Sequence, residues 1–419
     1  MPDLDDHSRL PAAFFADTRR QLLRSLEGQP SLVLLAAGRP PHRTADEDYP
    51  FLANRNFYYL CGIEQADTLL ILYQNNGIRR EILFIPPKDP HYERWHGRMI
   101  GFQEAAALSG LEEIQYITSF EGVLSDLLAA SGVRLYLDFS ADNSQMADLR
   151  SWLTEKWPLC QPTDAAPLLI RQRMIKSADE IKQMSLAIDL TGKGIAAMAR
   201  RLQPNIMEYQ LWAEFNRTLA DEGCLTPAFS TIVAAGANIF CLHYMLPTAQ
   251  IRDGDLVQVD VGAVAGGLCA DISRVYPANG HFTADQLVIY NLVRRCQETA
   301  FAAIRPGVTL ASINEQCRAV TREGLMSAGI MKENETAADY FWHNVSHHLG
   351  FDVHDPAERE TLLKPGMVLT VEPGIYVPNL GVGLRLEDDV LVTESGCVNL
   401  SAAIPRESWE IEALMATGK

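Results

Sequence analysis

The sequence predicts two domains, an α/β N-terminal part and a pseudo-symmetric α+β C-terminal part. Three observations carry this expectation. The chain has 419 residues, too many for one ordinary core. From Ser31 to about Pro167, apolar runs alternate with turn signals and short helical segments. Beyond that stretch the chain repeats itself once.

In the N-terminal part, "SLVLLAAG", "TLLILY", "EILFIPP" and "VRLYLD" read as strands, being short apolar runs bounded by turn residues. "AAALSGL" and "FEGVLSDLLAA" read as helical pieces between some of them. Strands followed by helices predict an α/β layer structure. "RRQLLR" (Arg19–Arg24) reads as one solvated helix face. No catalytic cluster stands out here. The pattern changes at "IRQRMIKS", where an amphipathic run begins at Ser177 and continues to about Leu202. Glu180 follows Ser177 at capping-box spacing. The boundary is placed around Arg171–Ser177, giving domains 1–172 and 173–419.

The second part resembles itself. "RDGDLVQVDVG" (Arg252–Gly262) aligns with "KPGMVLTVEPG" (Lys364–Gly374). At one constant offset Gly254 matches Gly366, Val259 matches Val371, Asp260 matches Glu372 and Gly262 matches Gly374. Upstream, "LQPNIMEYQLWAEFNRTLADEG" parallels "IRPGVTLASINEQCRAVTREG". Each unit reads as helix, turn, helix, then strands. Two units are too few for a solenoid, so two halves with a site between them are expected.

Bulk composition narrows the function. The formal net charge of −17 repels phosphate backbones and argues against a nucleic-acid partner. No apolar run reaches about 18 residues, so no membrane span is expected. The start, "MPDLDDHSRLPAAFF", is acidic rather than basic-then-apolar as in an export signal. The eight cysteines are scattered without a CxxC pair, which suits a reducing cytoplasm rather than disulfides or zinc.

The repeat superimposes an acid on an acid. Asp260 and Glu372 each end an apolar strand just before a glycine, a costly place for a carboxylate that is not paired, protonated or metal-bound. Each has a companion. Asp271 follows in "DVGAVAGGLCADISRVYP", where Gly266 and Gly267 suit a hairpin that returns it beside Asp260. Glu387 follows Glu372 in "EPGIYVPNLGVGLRLEDDVLV", where "GVG" (Gly381–Gly383) marks the turn. Four converging carboxylates repel one another, and two divalent cations remove that conflict. Four of the ten histidines fall in "WHNVSHHLGFDVHDP": His343, His347, His348 and His354. His343 and His347 have the spacing of an HExxH helix, but Asn344 stands where the general base would be, and Gly350 follows soon after.

These residues resemble the pita-bread metallopeptidases, the superfamily of methionine aminopeptidase, prolidase, aminopeptidase P and creatinase. "VDVG…ADISRVYP", "HNVSHHLGFDVHD", "GMVLTVEPGIY" and "GLRLEDDVLVT" are most similar to the aminopeptidase P and prolidase members. "FSTIVAAGANIFCLHY" resembles their segment with an active-site histidine, here His243. "RTADEDYPFLANRNFYYLCGIEQ" resembles the bacterial aminopeptidase P N-terminal domain, which methionine aminopeptidases lack. "ERWHGRMIG" resembles a segment whose tryptophan, here Trp95, reaches the mouth of the site.

The resemblance implies a pita-bread C-terminal domain and roles for its residues. Asp260 and Glu387 bridge two divalent metals, and Asp271, His347 and Glu372 complete the shells. The metal implied first is Mn, with Co, Zn or Fe as alternatives, all suited to oxygen and imidazole donors. His243 and His354 contact substrate and assist proton transfer, His343 lines a proline pocket, Arg385 sits beside the site, and Tyr376 stands behind it. The implied reaction is hydrolysis of the Xaa-Pro bond at the N-terminus of proline-containing peptides by a metal-bridging hydroxide, in a homodimer or homotetramer. Xaa-Pro dipeptide cleavage, as in prolidase, is the closest alternative, and a non-catalytic binding protein on the same scaffold is a further one. The chain departs from its relatives at His348, expected to point elsewhere, and in a short link from Tyr376 to Gly381.

Overall fold

The computed structural model describes residues 9–140, 144–358 and 360–417. The chain divides at Arg173/Met174 into two compact units.

The first unit is built on a mixed six-stranded sheet. Strand Ser31–Ala36 pairs antiparallel with Leu69–Asn75 and parallel with Arg134–Leu137. Leu69–Asn75 turns into Ile78–Ile85 through Asn76 and Gly77, both at positive φ. This is the two-residue Asn-Gly loop whose twist matches that of the flanking strands. Glu113–Tyr116 extends one edge and Thr163–Asp164 the other. "EIQY" at the first edge is a short, half-buried strand without the continuous apolar run that marks the others. Leu32, Leu34, Ile71, Phe84, Leu124 and Leu137 form the core between this sheet and its helices.

The helix Ala12–Ser25 corrects one expectation. Arg19 in "RRQLLR" is not solvated but 1% exposed. Its guanidinium pairs with Glu81 at 2.6 Å and donates to the Leu60 and Ser109 carbonyls at 2.8 and 2.9 Å. A buried charge persists only when saturated in this way. Arg20 stays on the exposed face with Asp17.

The second unit carries the repeat. Helix Ala178–Arg201 is followed by Glu208–Asp221, and helix Ala284–Ala303 by Leu310–Ser327. The leading helix of each pair starts on a reciprocal capping box, Ser177 with Glu180 and Thr283 with Gln286. Behind the first pair lies the sheet of Ile232–Ala235, Leu256–Val261 and Ile272–Pro277. Behind the second lie Val368–Val371, Asp388–Val392 and Cys397–Asn399, with the hairpin Gly374–Val377 and Val382–Arg385. The core strands are buried on both faces, which explains their unbroken apolar runs.

Gly266 and Gly267, at φ 58° and 84°, turn the short hairpin that leads from Asp260 to Asp271. "GVG" is only partly a turn. Gly381 takes the left-handed conformation, but Gly383 lies in the strand opposite Tyr376. A Cβ there would come within 3.0 Å of both Phe240 and Tyr376. Among the described residues no helix is long and apolar enough to cross a membrane.

Candidate metal centre

The two halves deliver their acids to one place. Asp260 stands in strand Leu256–Val261, in register with Ser273 on the neighbouring strand, and Asp271 just precedes that strand. Glu372 directly follows Val368–Val371, and Glu387 sits between Val382–Arg385 and Asp388–Val392. Ser273 joins the halves: its carbonyl accepts from the Glu387 amide at 3.1 Å, and its hydroxyl donates to Glu387 Oε2 at 2.9 Å. His347 Nε2 lies 3.5 Å from Asp271 Oδ2 and 3.6 Å from Glu372 Oε1. Its other ring nitrogen, Nδ1, donates to the His348 carbonyl at 3.0 Å. That bond selects the tautomer in which the Nε2 lone pair faces the acids, the usual support of a metal-binding imidazole. Asp271, His347 and Glu387 each offer a ligand atom within 4.8 Å of the others, a group that could hold a cation.

This site is electrostatically frustrated. Burial, and then the charge of Asp260, push the Asp271 carboxyl well above the usual range. Burial, and then Asp271, Glu372 and Asp260, do the same to Glu387. Burial raises Glu372 to about 7. Arg385 answers only in part. It ion-pairs with Asp260 Oδ2, donates to Ser273 Oγ at 3.0 Å and reaches Tyr376 Oη at 3.2 Å. The second oxygen of Asp260, Oδ1, is buried with no hydrogen-bond partner among the described residues. An orphaned carboxylate oxygen among repelling carboxyls and an oriented imidazole is what a cation-binding cavity presents.

The other histidines arrange around this group. His354 is exposed, with its ring 4.2 Å from that of His347. His243 is also exposed, on the irregular segment after Gly236–Phe240, and its charge acts on both His343 and His354. His343 is held between the Asn344 carbonyl at 2.9 Å and Tyr376 Oη at 3.0 Å. Burial, then Arg385, push it down to about 4, so it is neutral at neutral pH. Trp342 stacks on Tyr376 at 4.6 Å and forms an apolar wall beside it. No helix forms across 342–350, so the i, i+4 pair is not a helical zinc pattern.

His348 is buried, and its backbone bridges to Leu369. Burial, and then Lys176, lower it to about 4. The Asp355 amide donates to the His348 carbonyl at 2.9 Å, and Asp355 is in turn held by Lys176 in a buried ion pair 3.0 Å long. Trp95 lies in the first unit and is 67% exposed.

Sequence reasoning missed the supports. Gln258 and Ser273 are polar residues within fully buried strands. Arg274, entirely buried, ion-pairs with Asp388 at 2.7 Å and donates to the Ser273 and Glu387 carbonyls at 3.0 and 2.6 Å. Asp389 Oδ2 accepts from the Asp271 amide at 3.1 Å. The available signal was a polar residue inside an apolar strand motif, "VQVDV", "DISRVYP" and "LEDDVLV".

Comparison with known proteins agrees with this architecture. Residues 182–394 match metallopeptidase family M24, and residues 15–136 match the aminopeptidase P N-terminal domain. The chain is 32% identical to a Xaa-Pro aminopeptidase of Escherichia coli, over 96% of this chain and 97% of the relative. It is 33% identical to the human Xaa-Pro aminopeptidase 3, over 92% and 81%. Among solved structures, zinc-substituted E. coli aminopeptidase P in complex with product superposes with a TM-score of 0.90 at 30% identity, covering 98% of this chain and 99% of that one. The chain therefore belongs to metallopeptidase family M24, with an aminopeptidase P N-terminal domain ahead of a pita-bread catalytic fold.

Proposed function

We propose that the protein is a metal-dependent Xaa-Pro aminopeptidase. The observation that carries this reading is a set of four carboxyls, two from each half, that feel one another's charge, with Asp271 and Glu372 against one oriented imidazole, in a chain similar over nearly its whole length to Xaa-Pro aminopeptidases. Asp260, Asp271, His347, Glu372 and Glu387 would hold two divalent ions, with Asp260 and Glu387 shared between them. The oxygen-rich donor set supports Mn, with Co, Zn or Fe as alternatives. Such ions polarise a carbonyl and make water a nucleophile at neutral pH.

The chain's own residues do the rest. Neutral His343, with Tyr376 and Trp342 beside it, supplies a wall for the proline ring. Arg385 holds Asp260 and Tyr376 in place. His354 and His243, exposed at the rim, bind the peptide backbone and carry the proton that the proline nitrogen takes up as the bond breaks. Burial and then His347 lower the His354 pKa, which keeps its imidazole available as a base near neutrality.

Free cysteines throughout support residence in the cytoplasm. Exposed Tyr49, Leu52, Tyr92 and Trp95 on the first unit support a homodimer or homotetramer, which sedimentation would measure.

The deciding experiment is hydrolysis of matched Xaa-Pro and Xaa-Pro-Yaa peptides, after chelation and again after Mn²⁺ addition, read by mass spectrometry. Metal-restored release of the first residue from the longer peptide supports the reading. Cleavage of the dipeptide alone moves it to prolidase, and cleavage of neither removes the catalytic reading.

A further inference from the structure

Glu208 is fully buried at the start of helix Glu208–Asp221. Its carboxylate accepts four hydrogen bonds. Oε1 receives the Ala235 amide at 2.8 Å and Asn238 Nδ2 at 2.9 Å, and Oε2 receives Tyr244 Oη at 3.0 Å and the Ala249 amide at 2.9 Å. Asn238 Nδ2 also reaches Tyr244 Oη at 3.0 Å, closing a triangle. The backbone adds a second tie, since the Glu208 amide donates to the Ala249 carbonyl at 3.0 Å.

These donors come from the end of strand Ile232–Ala235, from the turn Gly236–Phe240, and from Tyr244 and Ala249 within the irregular segment 241–250. That segment carries His243, and Tyr244 is its neighbour. It forms no helix or strand, and Met245 and Leu246 are 55% and 71% exposed. A segment with so little regular structure keeps a fixed shape only through ties to something rigid, and a helix N-terminus also favours the negative charge.

We propose that Glu208 is a positioning residue for His243: it fixes the segment that presents this imidazole to the substrate. The inference rests on the reading of His243 as a substrate contact. Glu208→Gln keeps the size but replaces an acceptor oxygen by an NH₂ donor facing two other donors. Displacing a reacting group by about 1 Å can lower turnover about 100-fold.

The test is a cycle of wild type, Glu208→Gln, His243→Ala and the double variant, all metal-loaded, with kcat and KM on an Xaa-Pro-Yaa peptide. Amide hydrogen exchange and metal content are followed in parallel. Expected are a roughly 10- to 100-fold fall in kcat for Glu208→Gln, less than about a twofold further fall when His243 is already alanine, faster exchange confined to 241–250, and unchanged metal content. Tyr244→Phe, which deletes only one hydroxyl, should show the same coupling at smaller amplitude. Equal falls in both backgrounds, or exchange raised across the whole second unit, would overturn the proposal by making Glu208 a general stabiliser. A His243→Ala enzyme as active as wild type would overturn both the proposal and the reading of His243. Were wild type inactive on every proline peptide, the functional reading would fail by itself, and the exchange pattern would still decide whether Glu208 holds the segment.

Discussion

Gln258 and Arg385, one from each half, exchange two hydrogen bonds like paired strands. The Gln258 amide oxygen accepts from the Arg385 backbone nitrogen at 2.8 Å, and its amide nitrogen donates to the Arg385 carbonyl at 3.2 Å. A side chain thereby completes the sheet across the junction between the halves. Two of the gathered acids sit two residues further along on each side, Asp260 and Glu387. The junction fixes the separation of the two residues that would serve both metals.

On the proposed reading, Asp260→Ala and Glu387→Ala are expected to abolish turnover, with a loss of at least about 1,000-fold, because each would remove a ligand shared by both ions. Metal analysis of the purified variants should show substoichiometric loading. Near-wild-type turnover in either would make the bridging assignment wrong.

The two neighbouring imidazoles, with ring centroids 4.2 Å apart, should separate cleanly. His347→Ala is expected to lose metal and activity together. His354→Ala should lower kcat by about 100-fold with metal content unchanged. Metal loss in the His354 variant would make it a ligand instead.

Glu180 offers a pH test away from the site. It completes the Ser177 capping box through Oε2, but Oε1 is buried with no partner among the described residues. Burial raises its carboxyl from 4.5 to about 7. A raised acid contributes stability that is fully present below pH 4.5 and is lost as pH rises through 7. The matched position in the second half is Gln286, which caps without ionising. Glu180→Gln should therefore stabilise the protein at pH 8 relative to wild type, by up to about 3 kcal/mol, with little effect at pH 4.5. Thermal melts of both proteins across this range measure it, and a pH-independent difference would contradict it.

Lys176 and Asp355 form an ion pair in which both side chains are 1% exposed. Lys176→Met leaves a buried carboxylate without its cation and should destabilise by about 3–5 kcal/mol. Replacing both partners by apolar residues should recover most of that. Urea unfolding of the single and double variants checks it.

The carboxylates were legible in the sequence because duplication set Asp260 against Glu372, and a repeated buried acid is hard to explain except by chemistry. The strand runs were legible because burial on both faces leaves them continuously apolar. Arg19 misled because its neighbours Arg20 and Arg24 made it look like part of a solvated face, whereas its partners Glu81, Leu60 and Ser109 are distant in sequence. Gln258, Ser273 and Arg274 stood out only as polar residues in apolar strand motifs, and their roles, like that of Glu208, could not be read because they lie in long-range hydrogen bonds. Gly383 looked like turn chemistry beside Gly381, and its role is the space it leaves for Tyr376.

The Arg274 guanidinium also reaches forward to the Ile404 and Pro405 carbonyls, at 3.1 and 2.7 Å. Domains generally fold as units as they leave the ribosome, but here the first half cannot finish early. A nascent chain halted before residue 387 lacks the last acid, the Arg274 acceptors at Glu387, Asp388, Ile404 and Pro405, and the serine's partner across the junction. Such a chain would hold an uncovered arginine and three mutually repelling carboxylates. A translation product cut short before 387–405 is therefore expected to be inert as a peptidase rather than partly active.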